Sequence, residues 1–413
     1  MKNGNKKRRA ACLAWLLAAG CARAEEFDSS LLDALHDTRP LLDLRLRSDT
    51  TAQTGFARDT QALLLRARLG FQTGKVGDTS LLAEASLLTP LVDDYNSGLN
   101  GKTAYPSISD PRNYELHRLQ LENTSLPQTD LVLGRQRVPL DDQRFVGASN
   151  WRMNENTLDS LRIVNTGVPD LTVDLTYYNR FNRRTTEAST KLGALHGDSY
   201  LANVRYATPW AKITVFDYLL SFREVPTLSS RTAGVRLAGE QPAGPVTLAY
   251  TASWARQSDY SNNPVSYSDD YRYLDLKGTY RQFSLTLGTE VLGGNGTIGL
   301  STPMASFHSW DGWAGAFTTT PVNGLNSRYS TLGYSAKPVS PLQTLLATAT
   351  YYDFHADRSS QRYGSELDLQ LQGGWRRFTG LIQFADFASA NTATMHSSRS
   401  LWVEVDYLLA RGR

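Results

Sequence analysis

The chain has 413 residues, with 43 Lys and Arg against 40 Asp and Glu. Six of those cations and no acid fall in residues 1–24, leaving 37 against 40 in the remainder, so the overall positive balance is no argument for a nucleic-acid partner. Both cysteines, Cys12 and Cys21, lie in the same leader, which excludes disulfides and thiol chemistry from everything after it.

The leader comes first in chain order. Lys2, Lys6, Lys7, Arg8 and Arg9 precede an apolar run from Ala10 to Ala22, and Ala22-Arg23-Ala24 is a small-x-small cleavage site, so residues 1–24 read as a secretory signal peptide. A lipoprotein signal ending at Cys21 is the rival, but Ala18 stands where a larger aliphatic residue normally precedes a lipidated cysteine. Residues 25–40 then form a short periplasmic segment, too small for the plug of an energised transporter. No run of 18 apolar residues follows, so no transmembrane helix is expected.

From residue 41 to 413 the pattern has period two. In "QALLLRARLGFQTG" (61–74), Leu63, Leu65, Leu69 and Phe71 share one parity, and Arg66 and Arg68 the other. Successive strand side chains point to opposite faces, so this segment is apolar on one side and cationic on the other. "LTVDLTYY", "SELDLQLQ" and "LWVEVDYLL" repeat the split. Eighteen strands are predicted, at 41–48, 62–72, 79–90, 114–123, 130–137, 157–165, 170–181, 199–207, 211–223, 231–239, 245–257, 271–279, 282–292, 328–336, 343–354, 363–373, 376–387 and 398–409. Short turns at 73–78, 165–169, 208–210, 241–244 and 373–375 alternate with long links at 91–113, 138–156, 182–198, 258–270 and 293–327. Tight turns at one end and long loops at the other, with Tyr177, Tyr206, Tyr250, Trp254 and Tyr407 near strand ends, describe an all-β transmembrane antiparallel barrel. Only a closed barrel pairs every backbone group of such strands in lipid. Its location would be the outer membrane of a Gram-negative cell, in contact with lipid and lipopolysaccharide.

Five blocks then show a resemblance: "LLDLRLRSD", "LLLRARLGFQTG", "GRQRVPLDDQRFVGASNWRMNENTLDSLR", "STPMASFHSWDGWAGAFTTTPVNGL" and "YYDFHADRSSQRYGSELDLQL". In this order they resemble successive blocks of the alginate-export porin family. The resemblance implies an eighteen-stranded outer-membrane barrel with an arginine-lined pore for an anionic polysaccharide. Two features depart from it: no short-side connection is long enough to cover a mouth of the pore, and the chain ends in "YLLARGR" rather than in an aromatic residue. The expected function is therefore a general porin for small anionic, saccharide-derived, uronate-like solutes. A dedicated alginate-type export channel, working with periplasmic export components, and a non-conducting envelope or adhesion barrel are the alternatives.

Arginine is the main chemical signal, supplying 31 of the 37 cationic residues after the leader. Its planar, permanently charged fork suits bidentate carboxylate recognition. Inward parity holds Arg45, Arg47, Arg66, Arg68, Arg118, Arg162, Arg205 and Arg236, and the resemblance adds Arg135, Arg137, Arg144 and Arg152 through its longest block. Against a free positive field stand acids expected on the same interior: Glu84, Asp159, Asp174, Asp275, Glu290, Glu366, Asp368, Glu404 and Asp406. Arg135 and Arg137 share parity with Leu131 and Leu133, so either Gly134 bulges the strand or the strand has left the membrane; a bridge to Asp141 or Asp142 would merely anchor the loop. The histidines His36, His117, His196, His308, His355 and His396 are scattered, His117 on outward parity, so no catalytic pairing is expected. No cofactor is expected; Asp93-Asp94, Asp141-Asp142 and Asp269-Asp270 could hold loop Ca²⁺, though solvated loop acids read the same.

Overall fold

The computed structural model describes residues 30–183, 193–336, 338, 341–391 and 395–410, so the predicted signal peptide lies outside the described residues. Eighteen antiparallel strands form one closed sheet. They are β1 (Arg39–Gln53), β2 (Thr60–Gln72), β3 (Thr79–Asp94), β4 (Asn113–Asn123), β5 (Thr129–Gln136) and β6 (Thr157–Asn165). Then come β7 (Leu171–Asn182), β8 (Ala194–Ala207), β9 (Lys212–Leu220), β10 (Ser230–Ala243), β11 (Val246–Asp259) and β12 (Ser268–Tyr280). The circuit ends with β13 (Phe283–Leu292), β14 (Leu325–Ala336), β15 (Thr344–His355), β16 (Arg362–Trp375), β17 (Phe378–Ser389) and β18 (Ser398–Ala410). Every strand pairs with its sequence neighbours and β18 returns to β1, with Arg45 opposite Asp406 and Arg47 opposite Glu404. A short helix over residues 30–36 precedes β1 and accepts the Gly74 N–H on its Ala34 carbonyl.

The wall follows the period-two reading. Leu69, Phe71, Leu133, Leu175, Leu274, Leu287 and Leu332 are exposed on the outside. Tyr206, Trp210, Tyr280, Phe283, Trp375 and Phe378 ring the short-turn end, and Tyr114, Tyr177, Tyr200, Trp254 and Tyr351 the other. An apolar band between two aromatic girdles is what a bilayer's hydrocarbon and interfaces select. The protein is a membrane-spanning β-barrel.

Strand ends are where the sequence reading shifts. The predicted turn at Gly373-Gly374-Trp375 is strand: Gly373 pairs with Leu345, and the hairpin turns instead at Arg376-Arg377, with Arg376 at φ 53°. Paired glycines imitate a turn signal, whereas the two-residue loop accepts an arginine in the left-handed region. Strands β1, β8 and β14 also run longer than predicted, because they continue past the lipid-facing alternation.

Two outer-side connections fold into the barrel. We call residues 137–156, between β5 and β6, L3, and residues 293–324, between β13 and β14, L7. They are joined by a bridge between Val146 and Met304, and Gly147 N–H donates to the Met304 carbonyl at 2.9 Å. Around them Val138, Leu140, Val146, Tyr178, Phe181, Phe222, Leu300, Met304, Phe317, Phe354 and Phe387 form an apolar core inside the outer half of the barrel. Burying a Phe-sized side chain stabilises by roughly 1.5–3 kcal/mol, so this core holds both loops inward.

Candidate functional site: an arginine ladder beneath L3

β1, β2 and β4 place Arg45, Arg47, Arg66, Arg68 and Arg118 on the inner face, as their parity predicts. Inward parity does not leave them lining the open pore that the resemblance implies: Arg47, Arg66 and Arg68 are each 1% exposed. L3 covers them. Arg45 donates to the Asn150 and Trp151 carbonyls at 3.2 and 2.9 Å, Arg47 to the Trp151 carbonyl at 2.9 Å, and Arg68 to the Met153 carbonyl at 3.2 Å. The Arg47 guanidinium also lies over the Trp151 ring, 3.7 Å from its centroid.

Carboxylates complete the coverage. Arg45 binds Asp406 at 2.7 Å and Glu404 at 3.2 Å across the β1–β18 seam, and Arg66 donates to Asp43 at 2.7 Å. Arg118 is engaged by Glu84 in a fork at 3.0 and 2.9 Å. Glu155 of L3 accepts from Arg68 at 2.6 Å and pairs with Arg137, while His117 Nε2 lies 3.3 Å from it. Burial alone would raise the Glu155 carboxyl, but Arg137, Arg68 and His117 outweigh it and hold the group well below the usual carboxylate range. The ladder still has more donors than acceptors. Arg47 Nε and Nη2, Arg66 Nε and Nη1, and Arg68 Nε have no hydrogen-bond partner among the described residues.

His117 is the residue the parity argument missed. Leu116 faces out and Leu119 faces out, so the alternation slips between them, and β4 pairs irregularly with β3 at Glu84/Ala85. This bulge turns His117 and Arg118 inward together. A register slip of this kind leaves no mark in an apolar/polar count.

The wall from β13 to β16 is acidic, and the loop against it is aromatic. L7 donates its Trp313 and Ala314 N–H groups to Asp368 and Glu366 of β16, at 3.2 and 2.7 Å. Arg144 of L3 spans Glu290 at 2.7 Å and Asp311 of L7 at 2.8 Å. Trp151, His308 and Trp313 stack, with ring centroids 3.3 and 5.4 Å apart, and line a cleft between L3 and L7 with Arg152, Trp310 and Phe317. Burial, then Arg47 and Arg152, keeps His308 well below the ordinary imidazole range, so the ring in the stack is neutral.

The remaining sequence candidates divide. Arg137, Arg144 and Arg152 join the loop network, Arg152 lying 3.6 Å from Asp110. Arg162 pairs with Asp174 at 2.5 Å and Arg236 with Asp142 at 2.8 Å, both inside the barrel. Arg205 is exposed on the inner face near the short-turn end and has no carboxylate within ion-pair distance among the described residues. Arg135 is a correction. Gln136 beside it is buried inward, so Arg135 keeps the outward parity of Leu133 and forks onto Asp159, which shares that outer face rather than the lumen. Gly134, at φ 123°, does not flip the phase, and the strand ends at Gln136. The paired loop acids have partners of their own: Asp93 and Asp94 face Lys102, Asp141 accepts from Asn203, and Asp270 lies near Arg256. The histidines do not converge; His196 sits on Glu224 and His355 near Asp353.

No protein-family model matches the chain, and no curated protein matches it in sequence. Solved structures do match its fold. OpdK of Pseudomonas aeruginosa, crystallised with vanillate, superposes with a TM-score of 0.70 at 14% identity, over 91% of this chain and 99% of that one. OccAB3 of Acinetobacter baumannii gives 0.69 at 13% identity over 91% and 99%. OccK8 (OprE) of P. aeruginosa gives 0.68 at 14% identity over 91% and 100%. The barrel thus has the fold of the Occ/Opd outer-membrane porins. The alginate-export resemblance is narrower than this shared fold.

Proposed function

We propose that the protein is an outer-membrane diffusion channel for small anionic, saccharide-derived solutes such as uronates. One observation carries the reading: a ladder of inward guanidiniums on β1, β2 and β4 that retains unpartnered N–H donors at Arg47, Arg66 and Arg68. A buried donor without an acceptor costs roughly 1–3 kcal/mol, so the ladder favours any carboxylate or hydroxyl oxygen that reaches it. The aromatic faces of Trp151, Trp310 and Trp313 at the same level suit the apolar face of a sugar ring. OpdK's vanillate is itself a carboxylate, which agrees with an anionic solute. The porin reading is preferred to dedicated alginate export because the described short-side turns, such as 244–245, 281–282 and 376–377, are too brief to gate a pore mouth.

Liposome swelling tests it. The wild-type protein should admit glucuronate faster than glucosamine of similar size. Replacing Arg47 and Arg66 together by Gln should narrow that preference, and Leu65→Ala, on the lipid face, should leave it unchanged. Equal entry of the cationic and anionic sugars would refute the proposal.

A further inference from the structure

L3 does more than narrow the lumen. Its segment from Asn150 to Glu155 lays a row of oxygens along the arginine ladder: two carbonyls on Arg45, one of them shared with Arg47, then the Met153 carbonyl and the Glu155 carboxylate on Arg68. Neutral oxygen acceptors followed by one carboxylate are the groups that a sugar acid would present.

We infer that Arg68, Arg137 and His117 form a carboxylate subsite which the loop itself occupies with Glu155, and that a solute carboxylate enters the site by displacing that side chain. The inference rests on the anionic-solute reading above and adds to it the site and the competitor.

Three features support an exchangeable contact rather than a simple anchor. Both Glu155 oxygens are engaged, one by Arg68 and the other by Arg137 and His117, so the site is shaped for a whole carboxylate. The wall supplies Arg68 from β2 and His117 from β4, and these stay in place if the loop moves. L3 also has an independent attachment at its other end: Val146 bridges to Met304, and Gly147 N–H donates to the Met304 carbonyl. Losing the Glu155 contact therefore need not unfold the loop. Acids of the wall also border the subsite: Glu84 forks onto Arg118 and lies 3.4 Å from Arg137, Asp43 lies 3.8 Å from Arg68, and Glu115 lies 3.4 Å from His117. Glu155 is the acid there that the loop itself supplies.

A thiol at position 153 reads the docking directly, because Met153 is fully buried and its carbonyl accepts from Arg68 of the ladder. In the full-length protein in liposomes, Met153→Cys should be labelled slowly by a maleimide. Sodium glucuronate should speed labelling more than sodium chloride of equal ionic strength, and glucose should not affect it. Adding Glu155→Gln should make labelling fast without any probe and insensitive to glucuronate. Asn154→Cys, also buried, replaces the reporter if Met153→Cys fails the heat-modifiable gel shift of a folded barrel. Labelling that ignores both glucuronate and Glu155→Gln would overturn the inference. Glu155-dependent labelling in a barrel that excludes glucuronate would instead overturn the transport reading and leave the subsite standing.

Discussion

L3 and L7 enter the same lumen and are fixed there by different chemistry. L3 lies on guanidiniums: its carbonyls and Glu155 face Arg45, Arg47 and Arg68, and its own Arg144 reaches across to Glu290 and Asp311. L7 lies on acids and rings: Glu366 and Asp368 accept its backbone N–H groups, and His308 stacks between Trp151 and Trp313. One side of the constriction is thus held by permanent charges and the other by a neutral aromatic stack. The two should yield to different perturbations, charge removal for L3 and ring removal or acid for L7.

Arg144 joins the two loops, and its loss should have the largest effect. Arg144→Met leaves Glu290 and Asp311 buried without their cation, and breaking a buried pair from one side costs about 3–5 kcal/mol. Both loops should become open to limited proteolysis while the barrel still shows its heat-modifiable gel shift. Protection equal to wild type would show that the apolar core alone holds them.

Trp313→Ala separates the loops. It removes one face of the His308 stack, where an aromatic pair is worth roughly 0.5–1.5 kcal/mol beyond its buried area. Single-channel conductance should rise with little change in ion preference, whereas Glu155→Gln should change preference. The same shift from both variants would erase the distinction.

Acid offers a finer separation. The His308 pKa is depressed in the docked loop, so its contribution is fully present above the ordinary imidazole value of about 6.5 and is lost as pH falls from there toward the lowered value. Glu155 is also depressed, so its contribution is fully present above the usual carboxylate value of about 4.3 and is lost as pH falls from there toward the lowered value. Between these limits current fluctuations should increase with acid, and His308→Gln should abolish the increase. Fluctuations unaltered by pH, or equally acid-sensitive in the variant, would contradict the assignment to L7.

The seam gives the smallest effect. Cysteines at 45 and 406 are direct register partners and should crosslink, whereas each cross-strand ion pair there contributes only about 0.2–1 kcal/mol. Failure to crosslink would break the closure that brings the arginines of β1 beside those of β2.

Much of this was legible because a barrel wall is written in parity. Arg45, Arg47, Arg66 and Arg68 point inward as alternation requires, and Glu404 and Asp406 meet them across β18 as closure requires. Alternation does not record register slips, so it put His117 on the wrong face. Parity does set Arg135 outward with Leu133, and it is the resemblance of the surrounding block that draws it into the pore; it forks onto Asp159 instead. The covering of the ladder was the least legible feature. Parity shows that Arg68 faces the interior, but only the fold of a loop more than eighty residues later decides whether that interior is water or Met153 and Glu155.

The central claim is that the inward arginines, though covered by L3, set the sign of the pore's preference. The zero-current potential of single wild-type channels under a potassium chloride gradient tests it most directly. The account predicts a potential of the sign set by chloride, growing in Glu155→Gln as Arg68 and Arg137 are released. A potential of the sign set by potassium in the wild type would contradict it.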